Sequence, residues 1–465
     1  MRLSRADFRR RINGPVGIEF GPEELTTHAG LELVQRFARV LRLRQRLREL
    51  GKALRFGGDA GFASTVFLFV AMLLVGARRL RHVAFLSNDP LVLRFAGLKR
   101  LPTRSTLGRF LKRFDYGRNL ALERLSRALA WESVERVGIT RATVDVDGSV
   151  ISTGLKVQGA MRGFNPHNRK NPSYYPLTAQ LAQTGHVIGH KNRPGNVHDS
   201  SGAARFMEEL IRDIRRLDWF EGTIEFRPDG AFFQREVLEV WDRHGVEYTV
   251  KVPMMPWLGL KSLIARNAPR TWETVDGTSG VEGFFMDLPV EPWERTERVA
   301  VFRKQVKHSP RKQKHVQLDL FVPNDVNWEY SVVATNKALG LPALWHYYNG
   351  RSGHEKTYAE LKDGYAYAAV PTNHYSANTA WQKLNVLAYN LVTSFQLATG
   401  AEAKPRSRKR TAGFLLQSVK TLRFEWLNKA ARLVRPGGRL VIRLADNKAT
   451  RQAYARLTRA LPLAA

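Results

Sequence analysis

The chain has 465 residues, of which 43% are hydrophobic, so it is long enough to fold into several domains with a large buried core. It contains no cysteine, which excludes disulfides, iron–sulfur clusters, cysteine-ligated zinc and thiol nucleophiles. Lysine and arginine outnumber aspartate and glutamate by 74 to 42, a net charge of +32 that is typical of proteins that bind nucleic acid. A generically basic protein, or one that binds an anionic membrane, is the alternative.

Neither the amino terminus nor the longest apolar run predicts a membrane segment. The start, MRLSRADFRRRINGP, is basic but lacks the apolar stretch of a secretory signal. The apolar run at residues 61–77 is shorter than the ~20 residues that a spanning helix needs, so we expect a buried core helix there. We therefore expect a cytoplasmic, nucleoid-associated protein without a membrane partner.

Residues 1–135 predict an α-helical DNA-binding region. Apolar residues recur every three or four positions in residues 31–50, with arginines between them, which indicates an amphipathic basic helix. Residues 88–114 predict helix, turn, helix, with Asn88 or Asp89 capping the first helix and Thr103 the second.

The second of these helices carries a set of cations that could contact DNA: Arg104, Arg109, Lys112 and Arg113. A helix in a groove of the duplex is one interpretation of this pattern. An ordinary helical bundle with solvated arginines is the alternative.

Residues 136–253 predict the first part of a ribonuclease H-like α/β core. Patterns typical of strands and helices follow one another in the order β, β, β, α, β, α, β, with acidic residues at the ends of the first and fourth strands. The first helix should begin with a cap from Asp199, Ser200 or Ser201.

A β-rich insertion at residues 254–342 delays the next helix. Within it, a basic stretch interleaves cations with apolar residues: Arg303, Lys304, Lys307, Arg311, Lys312 and Lys314. Such a ribbon suits a phosphate backbone, Arg311 and Lys312 above all, whereas a solvated hairpin tip is the alternative. Residues 343–402 should return to the core with a catalytic helix and an apolar helix, and 403–465 form a basic C-terminal region.

The most informative stretch is HYYNGRSGHEKTYAELKDGY at residues 346–365. Four of its residues follow one another at spacings of three, four and seven: Tyr348, Arg351, Glu355 and Lys362. On one α-helix these side chains would fall within roughly 60° of each other, while Glu360 would project about 180° from Arg351. The face predicts a phosphate-handling surface with a carboxylate ligand for a metal; a solvated helix with an Arg351–Glu355 pair is the alternative.

Three carboxylates should converge in such a fold, because its first and fourth strands are neighbours and the late helix closes the site: Asp147, Asp229 and Glu355. Their oxygens could hold two Mg²⁺ ions about 3.5–4 Å apart, with Mn²⁺ as a substitute. Asp145 is the rival of Asp147, which we prefer because Gly148 follows it and allows close approach. Asp229 could instead be the turn residue of a Pro-Asp-Gly sequence.

These motifs resemble those of DDE insertion-sequence transposases. Tyr348, Arg351, Glu355 and Lys362 match the Y-x2-R-x3-E-x6-K signature residue by residue. DVDGS (residues 145–149) and RPDGAFF (residues 227–233) resemble the first and second aspartate motifs of that group. The resemblance extends from about residue 25 to residue 445.

The resemblance implies a cut-and-paste transposase that binds double-stranded DNA at terminal inverted repeats and at a target. It would nick DNA with water and use the liberated 3′-OH for strand transfer, as a homodimer in the synaptic complex. Asp147, Asp229 and Glu355 would bind the metal ions, and Tyr348, Arg351 and Lys362 would contact phosphates near the cleaved end. A relative that binds DNA without cutting it and a nuclease without strand transfer are the alternatives.

In members with a β insertion, a flipped base of a hairpin intermediate stacks on an aromatic side chain. The tryptophans that could do so here are Trp257, Trp272, Trp293, Trp328 and Trp345. The sequence does not distinguish among them.

Overall fold

A nine-stranded mixed sheet is the largest element of the protein, described here from a computed structural model. The structure describes residues 4–11, 16–154, 156–163, 170–305, 328–405 and 411–461. Helices before and after the sheet supply a second large core. The protein is therefore a mixed α/β fold.

The region before the sheet is helical. Its elements are α1 (Arg5–Arg11), the short strand β1 (Leu25–Thr26), α2 (Leu31–Val40), α3 (Leu43–Ala53), α4 (Phe62–Val75), α5 (Pro90–Ala96), α6 (Arg104–Lys112) and α7 (Tyr116–Val137). The single helix predicted over residues 31–50 is wrong: Arg42 takes a left-handed conformation (φ 49°) and separates α2 from α3.

Helices α5 and α6 have the predicted caps. The Asp89 side chain accepts hydrogen bonds from the backbone amides of Leu91 and Val92, and Thr103 accepts one from the amide of Thr106. The predicted helix, turn, helix is therefore confirmed.

Helix α4 is the apolar run, and nearly all of its residues are buried inside the protein. The predicted core helix is thus confirmed. Within the described ranges, no single helix is long and apolar enough to cross a membrane. Only together do Phe62–Val75 and the 3-10 segment Leu80–Leu86, bent by 85° relative to each other, reach the required length and composition.

The next elements build the central part of the sheet. They are β2 (Arg141–Gly148), β3 (Ile151–Ser152), β4 (Ser173–Tyr174), β5 (Leu177–Leu181), β6 (Val187–Lys191), α8 (Ala203–Arg215), β7 (Thr223–Phe226), α9 (Arg235–Arg243) and β8 (Glu247–Val252). The large sheet has the strand order β6-β5-β2-β7-β8, with β2 and β7 parallel and β2 and β5 antiparallel. The first and fourth strands predicted from the sequence, β2 and β7, are therefore neighbours.

The residues after β8 extend the same sheet. They form α10 (Leu260–Asn267), β9 (Glu273–Asp276), β10 (Val281–Val290), β11 (Arg295–Gln305) and β12 (Trp328–Thr335). Strand β12 pairs antiparallel with β8, so the β-rich segment continues the sheet as β12-β11-β10-β9. Residues 306–327 of the predicted β-rich insertion lie outside the described residues.

The chain then returns to helix and ends in a small mixed region. Its elements are α11 (Leu341–Asn349), α12 (Ser352–Ala359), α13 (Tyr375–Ala398), β13 (Glu402–Ala403), β14 (Phe414–Leu415), α14 (Val419–Leu422), β15 (Ala431–Val434), β16 (Val441–Leu444) and α15 (Lys448–Ala460). Helix α13 is buried along most of its length and packs against α4 and α7. It ties the helical region to the sheet.

The prediction of one continuous helix through residues 346–365 is wrong. The run consists of α11, a break, α12 and a π-helical turn at Glu360–Gly364. The break lies at Gly350, where a Cβ atom would come within 2.6 Å of Nη1 of Arg227. The Arg227 guanidinium also donates a hydrogen bond to the Tyr347 carbonyl near the end of α11. Arg227 directly follows β7, so a residue from the sheet contacts the helical run at its break.

Candidate active site

Asp147 lies at the C-terminal end of β2 and is partly buried. Its Oδ1 accepts a hydrogen bond from the Gly148 amide at 2.9 Å, and the Tyr358 hydroxyl of α12 donates to its backbone carbonyl at 2.9 Å. A Cβ atom on Gly148 would come within 2.3 Å of Oδ1 of Asp199. Position 148 therefore favours glycine because Asp199 and Tyr175 crowd the strand end, whereas the predicted approach of DNA and metal to this glycine stays a prediction.

Asp229 follows β7 and caps a 3-10 turn at Gly230–Phe232, accepting a hydrogen bond from the Gly230 amide at 2.6 Å. The turn role of the Pro-Asp-Gly sequence is therefore real. Because β2 and β7 are parallel neighbours, their C-terminal ends meet at one edge of the sheet. The turn thus holds Asp229 on the same edge as Asp147.

Arg351 connects the two aspartates. Its Nη1 lies 3.7 Å from Oδ2 of Asp147, and its Nη2 lies 3.8 Å from Oδ1 of Asp229. One planar guanidinium therefore faces both carboxylates, which brings the two strand ends together in space.

Tyr348 and Lys362 approach the same strand ends. The Tyr348 hydroxyl lies 3.5 Å from the carbonyl of Pro228, the residue before Asp229. Nζ of Lys362 donates to Oγ of Ser149 at 2.5 Å and to the Val150 carbonyl at 3.1 Å, immediately after β2. Three of the four signature residues thus gather at this edge.

Glu355 does not join them. It is exposed on the first turn of α12, and among the described residues its carboxylate has no hydrogen-bond or ion-pair partner. The break at Gly350 and the π-helical turn at Glu360–Gly364 change the spacing of Tyr348 and Lys362. The backbone from Arg351 to Glu355 is helical, so this change does not explain the exposure of Glu355. Glu360 accepts a hydrogen bond from the Val419 amide at 2.6 Å, which accounts for its partial burial.

Asp145, the alternative to Asp147, forms a salt bridge with Arg227. It is buried, and its two oxygens accept hydrogen bonds from Nε and Nη2 of Arg227 at 2.7 and 2.9 Å. A bidentate pair of this kind satisfies both carboxylate oxygens. Asp147 is therefore the carboxylate of β2 that faces Arg351.

Asp199 is a third acid at the site that the sequence assigned to a helix cap. Helix α8 begins later, after Gly202 in a left-handed conformation (φ 68°), and has no side-chain cap. Asp199 instead accepts a hydrogen bond from the Tyr175 hydroxyl at 2.9 Å, and its Oδ1 lies 3.8 Å from Nη2 of Arg193. The contacts that Tyr175 and Arg193 make with Asp199 come from distant parts of the chain, so no local pattern predicts this placement.

The electrostatics of the site centre on Asp147. Burial raises the pKa of its carboxyl to about 7; Arg351 opposes the rise, and the charges of Asp229 and Asp199 add to it. Burial lowers the pKa of Lys362, while the charge of Asp147 acts in the opposite direction. Burial at the strand end therefore disfavours the charged forms of both Asp147 and Lys362, and an opposite charge nearby offsets part of that cost.

The donor chemistry of this edge fits a hard divalent cation. Asp147 and Asp229 offer carboxylate oxygens, which Mg²⁺ and Mn²⁺ prefer, and a bound cation offsets both the burial and the repulsion from Asp229 that raise the pKa of Asp147. In the part of the chain that the structure describes, no group of three or more His, Asp or Glu residues is arranged to hold a metal ion. Two of the three predicted ligands thus meet, and Glu355 stays apart.

The other predicted DNA contacts lie on helix α6 or outside the described residues. Arg104, Arg109 and Lys112 are exposed on α6. Arg311 and Lys312 lie outside the described residues, as do the other cations of the basic stretch after Lys304.

The five tryptophans differ in exposure. Trp257 is 49% exposed, whereas Trp272, Trp293, Trp328 and Trp345 are half-buried. The rings of Trp257 and Trp293 lie 5.6 Å apart, and Trp293 in turn lies 5.1 Å from Phe233, four residues after Asp229. Trp257 is therefore the exposed end of a row of three rings whose other end, Phe233, is buried.

Comparison with known proteins relates the chain to a described family and to solved structures. Residues 8–465 match the family described as transposase DDE domain group 1. The fold is similar to a cryo-EM structure of a piggyBac transposase synaptic complex with hairpin DNA, with 12% identity, a TM-score of 0.43, and coverage of 82% of this chain and 78% of that one. No curated protein matches the chain.

Proposed function

The chain belongs to the transposase DDE domain group 1 family, and from this premise we propose that it cleaves and joins DNA by a cut-and-paste route. Its substrates would be the terminal inverted repeats of a mobile element and a target duplex. The excess of cations, +32 in net charge, supports a partner that carries many phosphates.

The proposed catalytic core is ribonuclease H-like. The strand order β6-β5-β2-β7-β8, with the first strand parallel to the fourth and antiparallel to the second, supports this assignment. Such an arrangement brings acids that are far apart in sequence to one edge.

The observation that carries the proposal is the meeting of Asp147 and Asp229 on either side of Arg351. Two carboxylates held at adjacent strand ends, one of them with a pKa near 7, are unfavourable for stability and typical of a functional site. A purely structural pair would be satisfied by direct hydrogen bonds, as Asp145 and Arg227 are.

We propose that Asp147, Asp229 and Glu355 hold Mg²⁺, with Mn²⁺ as a substitute. The chemistry that such ions supply when bound is activation of the attacking oxygen and stabilisation of the leaving oxygen of a phosphodiester. Glu355 would have to join the aspartates when DNA binds, since it is exposed in this structure.

The cations of the signature would bind and orient the phosphate. Arg351 can exchange its two carboxylate contacts for a bidentate contact with a phosphate, a group that its planar fork matches. Lys362, held by Ser149 beside Asp147, can bind a neighbouring phosphate as a point charge. The Tyr348 hydroxyl lies 3.5 Å from the carbonyl of Pro228, next to Asp229, where it could also contact a phosphate.

A DNA-binding relative that does not cleave is the second candidate. The observation in its favour is that Glu355 lies apart from the two aspartates. The same proposal of a homodimer holding two DNA ends applies to both candidates, because synapsis does not depend on cleavage.

The test uses a supercoiled plasmid that carries the coding sequence with its natural flanking DNA. Purified protein with Mg²⁺ should nick the flanks and join the excised DNA to a target. Asp147→Asn and Asp229→Asn should each abolish nicking and retain DNA binding, whereas Asp287→Asn, at an exposed position of β10, should cut normally.

The outcomes separate the candidates. Cleavage without joining would indicate a nuclease, and DNA binding without cleavage by the unsubstituted protein would indicate the inactive relative. Full nicking by Asp229→Asn would defeat the site assignment. Glu355→Gln tests the third ligand in the same assay, and normal cleavage would remove Glu355 from the site.

A further inference from the structure

A second surface lies between α6 and the chain that continues from the Asp147 strand. Two adjoining concavities of about 800 and 600 Å³ share Lys156 and Val157 in their walls. We call them together the basic groove. Its cationic lining residues are Arg104, Arg109 and Lys112 from α6, and Lys156 and Arg162 from residues 156–163.

The charge of the basic groove is of one sign. Its lining includes five cations and no aspartate or glutamate. All five side chains are exposed, and within the described ranges none forms an ion pair. A solvated protein surface ordinarily mixes both signs, as α8 does with its Arg205–Glu209 and Arg212–Glu208 pairs. The groove therefore keeps its positive potential available for an anion.

The groove is continuous with the proposed active site along the chain. Residues Ser149 and Val150, which Lys362 binds, connect Asp147 to β3, and Lys156 follows a few residues later. Residues 156–163 form one wall of the groove. A hydrogen bond from the Gln158 amide to the Asn373 carbonyl, at 3.0 Å, holds this wall against the chain before α13. Val157 is buried in the helical core, which anchors Lys156 at the rim.

We propose that the basic groove binds the sugar–phosphate backbone of the DNA whose end lies at Asp147 and Asp229; this inference rests on the proposed function. The sequence suggested that the α6 cations enter a groove of the duplex. The structure places them in the same concavity as Lys156, which also lines the adjoining concavity with Arg162, so a phosphate backbone lying there would meet cations from two segments of the chain. Phosphate contacts fix the register of DNA without reading its sequence.

The experiment measures binding of a fluorescent random-sequence duplex by anisotropy over a range of salt concentrations, in EDTA so that no cleavage occurs. Removing one cation that binds a phosphate should lower the slope of log K against log salt by about 0.9. Lys156→Ala/Arg162→Ala should therefore lower the slope by about two. The control Arg456→Ala/Arg459→Ala removes two exposed cations from α15 and should leave the slope unchanged.

A second pair of variants tests the groove by adding a negative charge to it, without removing any lysine or arginine. Gly108 lines the groove on α6, and a Cβ atom there would meet nothing within 4 Å, so a larger side chain fits the fold. Gly108→Glu and Gly108→Gln fill the same volume and differ in one charge. The glutamate should weaken binding more than the glutamine, and the difference should shrink as salt rises.

The outcomes are distinct. An unchanged slope in Lys156→Ala/Arg162→Ala, or an equal fall in the α15 control, would overturn the groove and leave the proposed function standing. Equal DNA binding by Gly108→Glu and Gly108→Gln would also overturn the groove and leave the proposed function standing. Failure of the unsubstituted protein to bind any duplex would overturn both proposals, and thermal melting of each variant excludes unfolding as the cause.

Discussion

Arg351 lies with Nη1 3.7 Å from Oδ2 of Asp147, although 204 positions of sequence number separate the two residues. The distance is too long for a direct hydrogen bond and short enough for strong attraction. The second nitrogen of the same fork faces Asp229 at 3.8 Å. The guanidinium thus holds two like charges together without saturating either, which leaves both carboxylates able to take another ligand.

Replacing Arg351 should therefore impair cleavage even when the positive charge is kept. A lysine ammonium is a point charge and cannot span both carboxylates or bind a phosphate through two parallel hydrogen bonds. We expect Arg351→Lys to reduce the nicking rate of the flanked plasmid about 10- to 100-fold, the effect of losing about 1.4–2.7 kcal/mol of positioning.

Arg205→Lys is the matched control, since Arg205 is exposed on α8 and pairs only with Glu209 one turn away. It should cut at the normal rate. A normal rate in Arg351→Lys would show that charge alone suffices at position 351.

Asp147 should make stability depend on pH. Its pKa is about 7 in the folded protein, chiefly through burial, against 3.8 for an unperturbed aspartate. The folded state therefore binds this proton more tightly than the unfolded state. The carboxyl destabilises the fold progressively as pH rises from about 4 to about 7, and the destabilisation is complete above that range.

Asp147→Asn should accordingly stabilise the metal-free protein at alkaline pH. The gain has an upper limit of roughly 4 kcal/mol, from about three pKa units, and should vanish below about pH 4. Denaturant unfolding in EDTA at several pH values measures it, with Asp287→Asn as the exposed control. A gain that is the same at all pH values would contradict this account of the carboxyl.

Asp199 should tune the proton affinity of Asp147. Burial is the main cause that raises the pKa of Asp147, and the negative charge of Asp199 is a smaller one. Asp199→Asn should therefore lower the pKa of Asp147. The acid limb of the nicking rate against pH should then move to lower pH. Asp218→Asn, on the exposed end of the turn after α8, should leave the limb in place.

Asp199→Asn also has a structural consequence that must be separated from this effect. The amide can still accept the hydrogen bond from Tyr175, so the fold should be retained. An unmoved acid limb, with thermal stability unchanged, would show that Asp199 does not act on Asp147.

Local pattern was sufficient to find the strand-borne acids. Asp147 lies near the end of β2 and Asp229 lies just past the end of β7, and the predicted order of elements makes those two strands neighbours. The caps at Asp89 and Thr103 were also visible locally, because a cap depends on residues only two or three positions away.

Long-range packing was not visible in the same way. Arg227 was absent from the predicted site, yet it satisfies both oxygens of Asp145, reaches the end of α11 and requires glycine at position 350. Gly350 ends α11 and a π-helical turn follows α12, so the regular 100° spacing does not hold from Tyr348 to Lys362, although it does hold from Arg351 to Glu355. A periodicity argument has no information about a side chain that arrives from another strand.

Trp257 is the tryptophan best placed to stack a flipped base under the proposed function. It is 49% exposed, and its neighbour Trp293 joins it to Phe233 near Asp229. Trp257→Ala should reduce stacking of a 2-aminopurine placed at the element end, seen as fluorescence that is quenched less on binding. Stacking on one aromatic ring contributes about 1–3 kcal/mol per base, so affinity for the hairpin should fall roughly 5- to 150-fold.

Trp272→Ala is the comparison variant. Trp272 is half-buried, contacts Phe284 edge-on at 4.7 Å between ring centroids and carries the Arg303 guanidinium over its face. Trp272→Ala should lower the free energy of unfolding and leave the quenching of 2-aminopurine intact. Trp257→Ala should reduce the quenching and leave the free energy of unfolding nearly unchanged, because an exposed ring contributes little to the core. Unchanged quenching in Trp257→Ala would exclude this side chain as the stacking platform and leave the half-buried rings, which would need to move outward to reach a base.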